Sequence, residues 1–248
     1  VALQDIIMKY TLSALLLLFL VSLKIALIAG PPADFRHDRH EFEPRLSGEI
    51  LPPLPRTEGS PYFIEDWLSG DVRLTNGQWV TAQQLRYNGF LDELIWMHPR
   101  QFVPVRVDKN LVDRFVLYQE NPADTFHFVN IRINLWYESR MLNVFAQELY
   151  TGKSQLVVHR NIRQMGERVV QDGGQLFTRP RIEPDPGYYL IGPDGRAQPI
   201  RGINRRALLS VFSERRSEIR QALRQHHIRL RSEEDLARAI AVIDQLNP

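Results

Sequence analysis

The chain has 248 residues, 44% of them hydrophobic and 24% charged, with a net charge of only +2. That is globular composition, and it excludes a chain disordered from end to end. It holds no cysteine, which excludes thiolate zinc sites, redox dithiols, thiol nucleophiles and a lipid attached through cysteine.

At the N-terminal end, Met8-Lys9-Tyr10 precedes an apolar run from Leu15 to Leu23, broken at Lys24 and resumed from Ile25 to Ala29. One basic residue followed by about a dozen apolar ones is the layout of a secretory signal, with Met8 as its natural start. Cutting after Ala29 or Gly30 leaves bulky Leu27 or Ile28 three residues back, so the cleavage site is poor. Residues 10–29 are also long enough to span a bilayer as an uncleaved anchor, although Lys24 is costly inside one. The expectation is a periplasmic or cell-envelope protein, with a cleaved signal over residues 1–30 favoured over an N-terminal membrane anchor there.

Residues 31–61 carry seven prolines and read as an extended linker or arm. His37, His40, Glu41 and Glu43 lie close together in it, but an arm does not fix ligand geometry, so no metal is expected.

From Tyr62 the text changes to short β-runs divided by turns. Asp71 to Leu74, the Asn76-Gly77 pair of a tight hairpin and Gln78-Trp79-Val80 come first. Leu85-Arg86-Tyr87, Leu91 to Trp96, Phe102 to Val107 and Phe115 to Tyr118 follow. Asn143 to Tyr150 with Gln155 to His159 forms another hairpin, and Tyr188 to Ile191 with Gln198 to Ile200 the last. Residues 161–187, rich in glycine and proline, read as a long excursion between two hairpins. Residues 62–203 are thus expected to form a β-rich domain, an antiparallel sandwich or a partly open barrel built of hairpins. Residues 204–248 turn helical, with Asn204, Ser213 or Ser217, and Ser232 as caps. The apolar stripe Leu236, Ala239, Ile240, Ile243, Leu246 docks the last helix on the sheet. The class is mainly β (α+β), with two or three C-terminal helices packed on the same domain.

Gly70-x-Val72-x-Leu74-x-Asn76-Gly77, then Leu85-Arg86-Tyr87-Asn88-x-Phe90-x-Asp92-Glu93-Leu94 and Val107-Asp108-Lys109, with the later Leu149-Tyr150-x-Gly152-Lys153, resemble uncharacterised exported proteins of Gram-negative bacteria. The likeness covers most of residues 60–246. It implies an envelope location and a β-rich domain with a helical end, and it carries no known activity.

No catalytic, cofactor-binding or metal-binding residue is expected. Asp92 and Glu93 are neighbours on a strand and point to opposite faces, so they make no acid–base pair by themselves. His98, His127 and His159 stand singly, and no zinc-helix, nucleophile-elbow or phosphate-loop motif occurs. Arg86, Tyr87, Asn88 and Asp92 are the candidate surface for a ligand or partner. The basic C-terminal residues are interleaved with Glu214 and Glu218 as in plain helical pairing, and an exported protein meets no nucleic acid. The functional expectation is a non-catalytic interaction or accessory module of a membrane-associated complex. It would have protein partners in the envelope, with membrane contact through residues 10–29. A small-molecule or lipid binder using a barrel interior is the alternative, and a hydrolase assembled from distant residues is the second.

Overall fold

In a computed structural model of the chain, the described residues are 45–53, 55–119, 125–134 and 141–246. The apolar segment 10–29 and the quartet His37, His40, Glu41, Glu43 lie outside them. Thirteen strands are described: β1 (Gly48–Ile50), β2 (Leu68–Leu74), β3 (Trp79–Asn88), β4 (Glu93–Met97), β5 (Pro104–Val107), β6 (Val112–Tyr118), β7 (Phe126–Asn134), β8 (Met141–Thr151), β9 (Gln155–His159), β10 (Ile162–Asp172), β11 (Gln175–Pro184), β12 (Gly187–Ile191) and β13 (Ala197–Ile200). Helices α1 (Arg205–Val211), α2 (Arg216–Gln225) and α3 (Glu233–Gln245) close the domain.

Eleven strands form one antiparallel sheet in the order β1-β5-β4-β3-β2-β6-β7-β8-β9-β12-β13, while β10 and β11 form a second sheet, whose β11 edge is joined to Glu58 by a parallel bridge at Arg181. The large sheet ends on β1 and β13 and is not closed into a barrel, as the mainly β reading expected. Neighbours in sequence are mostly neighbours in space, which is what short turns impose. The first hairpin is the one Asn76-Gly77 specified: Gly77 takes φ +87°, a conformation that L-residues resist. Part of the proline-rich stretch belongs to the sheet, since β1 pairs with β5 and Leu46 is buried in the core.

The sheet curls around an aromatic core. Tyr87, Phe115, Phe128 and Phe145 are each buried and come from β3, β6, β7 and β8. Phe115 and Phe128 stack at 4.6 Å, and Phe145 meets Phe115 edge-on at 5.1 Å. Such packing makes each ring worth roughly 3–5 kcal/mol against alanine. These rings fill the inside of the curl.

A second core lies where the helices cover the other end of the sheet. Leu156, Val158, Tyr188, Leu190 and Ile200 meet Leu208, Ile219, Leu223, Leu236, Ile240 and Ile243. Two caps fall where the sequence set them: Asn204 Oδ1 accepts from Ala207 N at 2.9 Å, and Ser232 Oγ from Asp235 N at 3.2 Å. The expected cap at Ser213 or Ser217 does not form, because α2 starts behind Arg215 with no side-chain cap and Ser217 lies inside the helix. Among the described residues, no helix is long and apolar enough to cross a membrane.

Candidate functional site

The four candidate residues sit at the end of β3 and the turn that follows it. Alternation along the strand sends them to different surroundings. Tyr87 and Asn88 are buried, Arg86 is half-buried, and Asp92 stands in the turn at φ +55°. That is left-handed backbone, which Asp tolerates better than most residues. Asn88 shapes the turn, because its Oδ1 accepts from Phe90 N and Leu91 N at 3.0 Å each. Gly89 is required by close approach: a Cβ there would lie 2.2 Å from Arg160 O.

Asp92 is the hub. Its Oδ1 accepts from Tyr87 Oη at 2.8 Å and from Phe145 N at 3.1 Å, and its Oδ2 holds the Lys109 ammonium. The β8–β9 ladder ends at the pair Ala146 and His159, so Phe145 lies one residue past the last strand partner. The carboxylate takes the place that strand would have filled. The β3–β4 turn is thereby fastened to β8, on the far side of the aromatic core, and the curl is held shut. Lys109 also lies 4.7 Å over the Phe145 ring. Asn130 Nδ2 donates to the carbonyls of Lys109 and Val112 at 2.8 Å each, fixing the turn that carries the lysine.

Beside the hub, His159 Nε2 is 3.9 Å from Asp92 Oδ1, too far for a hydrogen bond, and neither ring nitrogen has a partner among the described residues. Burial pushes its pKa below the ordinary histidine value, the Asp92 charge opposes that, and Lys109 adds to it. Neutral imidazole is the form such surroundings favour.

An open groove of about 650 Å³ runs beside this turn, with Glu49, Asp92, Glu93, Arg106 and Lys109 among its lining residues. Its charges are engaged with one another. Arg106 holds Glu93 at 3.1 Å and also Glu49, while Lys109 holds Asp92. General acid–base work needs a group within reach of a substrate's proton, and here the Glu49, Glu93 and Asp92 carboxylates each face a cation already. This groove offers paired ions instead. Among the described residues, no group of three or more His, Asp or Glu could hold a metal ion.

Arg86 leaves the strand on the face opposite Tyr87 and lies between the rings of Tyr62 and Trp67. The structure thus joins Tyr87 to Asp92 by a hydrogen bond, uses Asn88 in the turn, and sets Arg86 apart from all three.

Two further clusters fasten α3. Arg160 meets the Glu233 carboxylate through both terminal nitrogens at 2.6 and 2.7 Å, and its Nε donates to Gln147 Oε1 at 2.7 Å. Tyr188 Oη donates to Glu233 Oε1 at 2.8 Å, and burial followed by this bond pushes its phenol pKa up. At the other end of the helix, buried Asp244 accepts from Ser154 N at 2.9 Å. Sequence reading missed these partners because the pairs are separated by 13 to 90 residues, beyond any local spacing rule. Lys109 carried one signal, its place in the Val107-Asp108-Lys109-Asn110 turn, and His159 carried none.

The β10–β11 hairpin occupies the stretch read as an excursion. It spans residues 162–184 around Gly173-Gly174 and exposes Met165, Val169, Leu176 and Phe177, with Leu176 72% exposed. Arg168 pairs with Glu58 and Arg163 with Asp185 near its base.

No protein-family model, curated protein or solved structure matches this chain. The reading of its function rests on the geometry above.

Proposed function

We propose that the chain is an exported envelope protein that acts as a non-catalytic interaction module, engaging a protein partner through the β10–β11 hairpin. The observation that carries this is the hairpin itself. A two-stranded ribbon is marginal in water without further packing, yet this one extends over ten-residue strands with large apolar side chains exposed toward its tip. Elsewhere the exposed large apolar residues, Phe102 and Ile50 foremost, are spread over several elements, whereas Met165, Val169, Leu176 and Phe177 share this one hairpin. Exposed apolar side chains clustered on one element mark interaction surfaces more often than they occur by chance. The paired ions of the groove and the ring-filled curl support a binding role over catalysis or uptake of a small molecule.

Photo-crosslinking groups at Val169 and Leu176, in cells expressing the full chain, test it. The expected result is one discrete crosslinked protein, lost from the Val169 probe when Leu176→Glu is added on the same face, and from the Leu176 probe when Val169→Glu is added, while the far-UV spectrum stays β-rich. Crosslinking that is diffuse, absent or indifferent to those charges overturns the reading. Envelope location rests on residues 10–29. N-terminal sequencing reads it: a start near Pro31 means a released domain, and an intact Met8 means a tethered one.

A further inference from the structure

Arg86 differs from the other well-placed arginines. Its guanidinium carbon lies 4.6 Å from the Tyr62 ring centre and 4.5 Å from that of Trp67. Both rings belong to a segment stitched to β3: Phe63 N donates to Tyr87 O at 3.0 Å and Phe90 N to Pro61 O at 3.3 Å. Among the described residues nothing accepts a hydrogen bond from Arg86, and its Nε is enclosed without a partner. Arg160 and Arg106, by contrast, each hold carboxylate oxygens.

Ring faces attract the cation but do not accept the in-plane N–H groups of a guanidinium. They also shield it from water, so an anion arriving in the plane meets donors that are only partly hydrated. The rings further restrict the side chain, which lowers the ordering cost of binding. With Nε enclosed, the two terminal nitrogens are the donors an anion can reach, and side by side they match two oxygens of one group.

We propose that Arg86, held between Tyr62 and Trp67, is a binding site for a carboxylate taken up in the plane of the guanidinium. A peptide C-terminus or an acidic side chain is the source that fits. Glu65 and Asp66 are exposed on the same segment. They repel a doubly charged phosphate about twice as strongly as a carboxylate.

The test is a titration of the full chain, following the Arg86 Nε–H and Trp67 indole resonances by NMR. Sodium acetate, sodium phosphate and sodium chloride are compared at matched ionic strength. Acetate is expected to give a saturable shift at both resonances, phosphate a weaker one, and chloride only a linear drift. Arg86→Lys keeps the charge and loses the fork, so acetate affinity read at Trp67 falls about tenfold, the equivalent of one hydrogen bond of the pair. Equal linear drift in all three salts overturns the site, as does unchanged affinity in a folded Arg86→Lys. Tighter binding of phosphate than of acetate overturns the carboxylate assignment. The wild-type titration decides even if the variant does not fold.

Discussion

Substitution of Asp92 measures how firmly the curl is held. Asp92→Asn keeps the side-chain shape and a residue that accepts positive φ, but it removes the charge. Oδ1 already receives Tyr87 Oη at 2.8 Å and Phe145 N at 3.1 Å, so the new amide nitrogen must face the Lys109 ammonium, donor against donor. Losing a hydrogen bond to a charged group costs about 1.5–3 kcal/mol. The Asp92 side chain is 18% exposed, and solvent screening places the cost near the lower end, about 2 kcal/mol. Asp92→Ala removes both acceptor oxygens with the three hydrogen bonds they take and sets alanine in left-handed backbone, which adds about 1–2 kcal/mol, for about 4 kcal/mol together. The assay is urea unfolding followed by tryptophan fluorescence. With a slope of about 2–3 kcal/mol per molar urea, the midpoint falls by about 0.8 M for Asn and 1.6 M for Ala. Lys109→Met made in the Asp92→Asn background should cost less than it does alone, because its partner is already gone. An Ala midpoint within about 0.2 M of wild type, or strict additivity with Lys109→Met, refutes the role of Asp92 as the clasp.

Two further outcomes follow from the same geometry. His159 has a lowered pKa in the folded chain, so the unfolded chain binds its proton first as pH falls. The stability contributed by the neutral ring is therefore complete above about pH 6.5 and declines below it. His159→Gln should flatten the loss of urea midpoint between about pH 7.5 and 5.5, and an identical loss in wild type and variant contradicts the argument. Glu233→Gln removes the charge from the bidentate pair with Arg160 and should cost about 2 kcal/mol. Amide exchange in Glu233–Gln245 should speed up ahead of the rest of the domain; uniform protection means that the pair does not hold the helix.

How much of this was legible in the sequence follows from the range of each interaction. Turn chemistry and periodicity are local. Asn76-Gly77 placed a hairpin, Asn204 and Ser232 placed helix starts, and the stripe from Leu236 to Ile243 placed the face of α3 that is buried. β7 was not read, although the run Phe126-His127-Phe128-Val129 follows the turn signal Asn121-Pro122, because so short an apolar run does not by itself tell a strand from a buried loop. β10 and β11 were read as irregular because Pro180, Pro184 and Gly166 argue against a central strand. They are tolerated here because Gly166 sits at a bulge, Pro184 ends its strand, and Pro180 faces the outer edge, where Glu58 needs only its carbonyl. The candidate residues Arg86, Tyr87, Asn88 and Asp92 were singled out as a group by adjacency alone. The fold divides them among a ring-clamped cation, a core ring, a turn and a clasp.

The sequence by itself determined the class of the domain, the hairpin turns, the helical close and the exclusion of thiol chemistry, since each depends on residues within a few positions of one another. Tertiary structure alone decided that Asp92 meets Phe145 and Lys109, that Arg160 meets Glu233, and that Arg86 has no acceptor among the described residues. Those pairings join positions 17 to 73 residues apart, and only the curl of the sheet brings them within a hydrogen bond of each other.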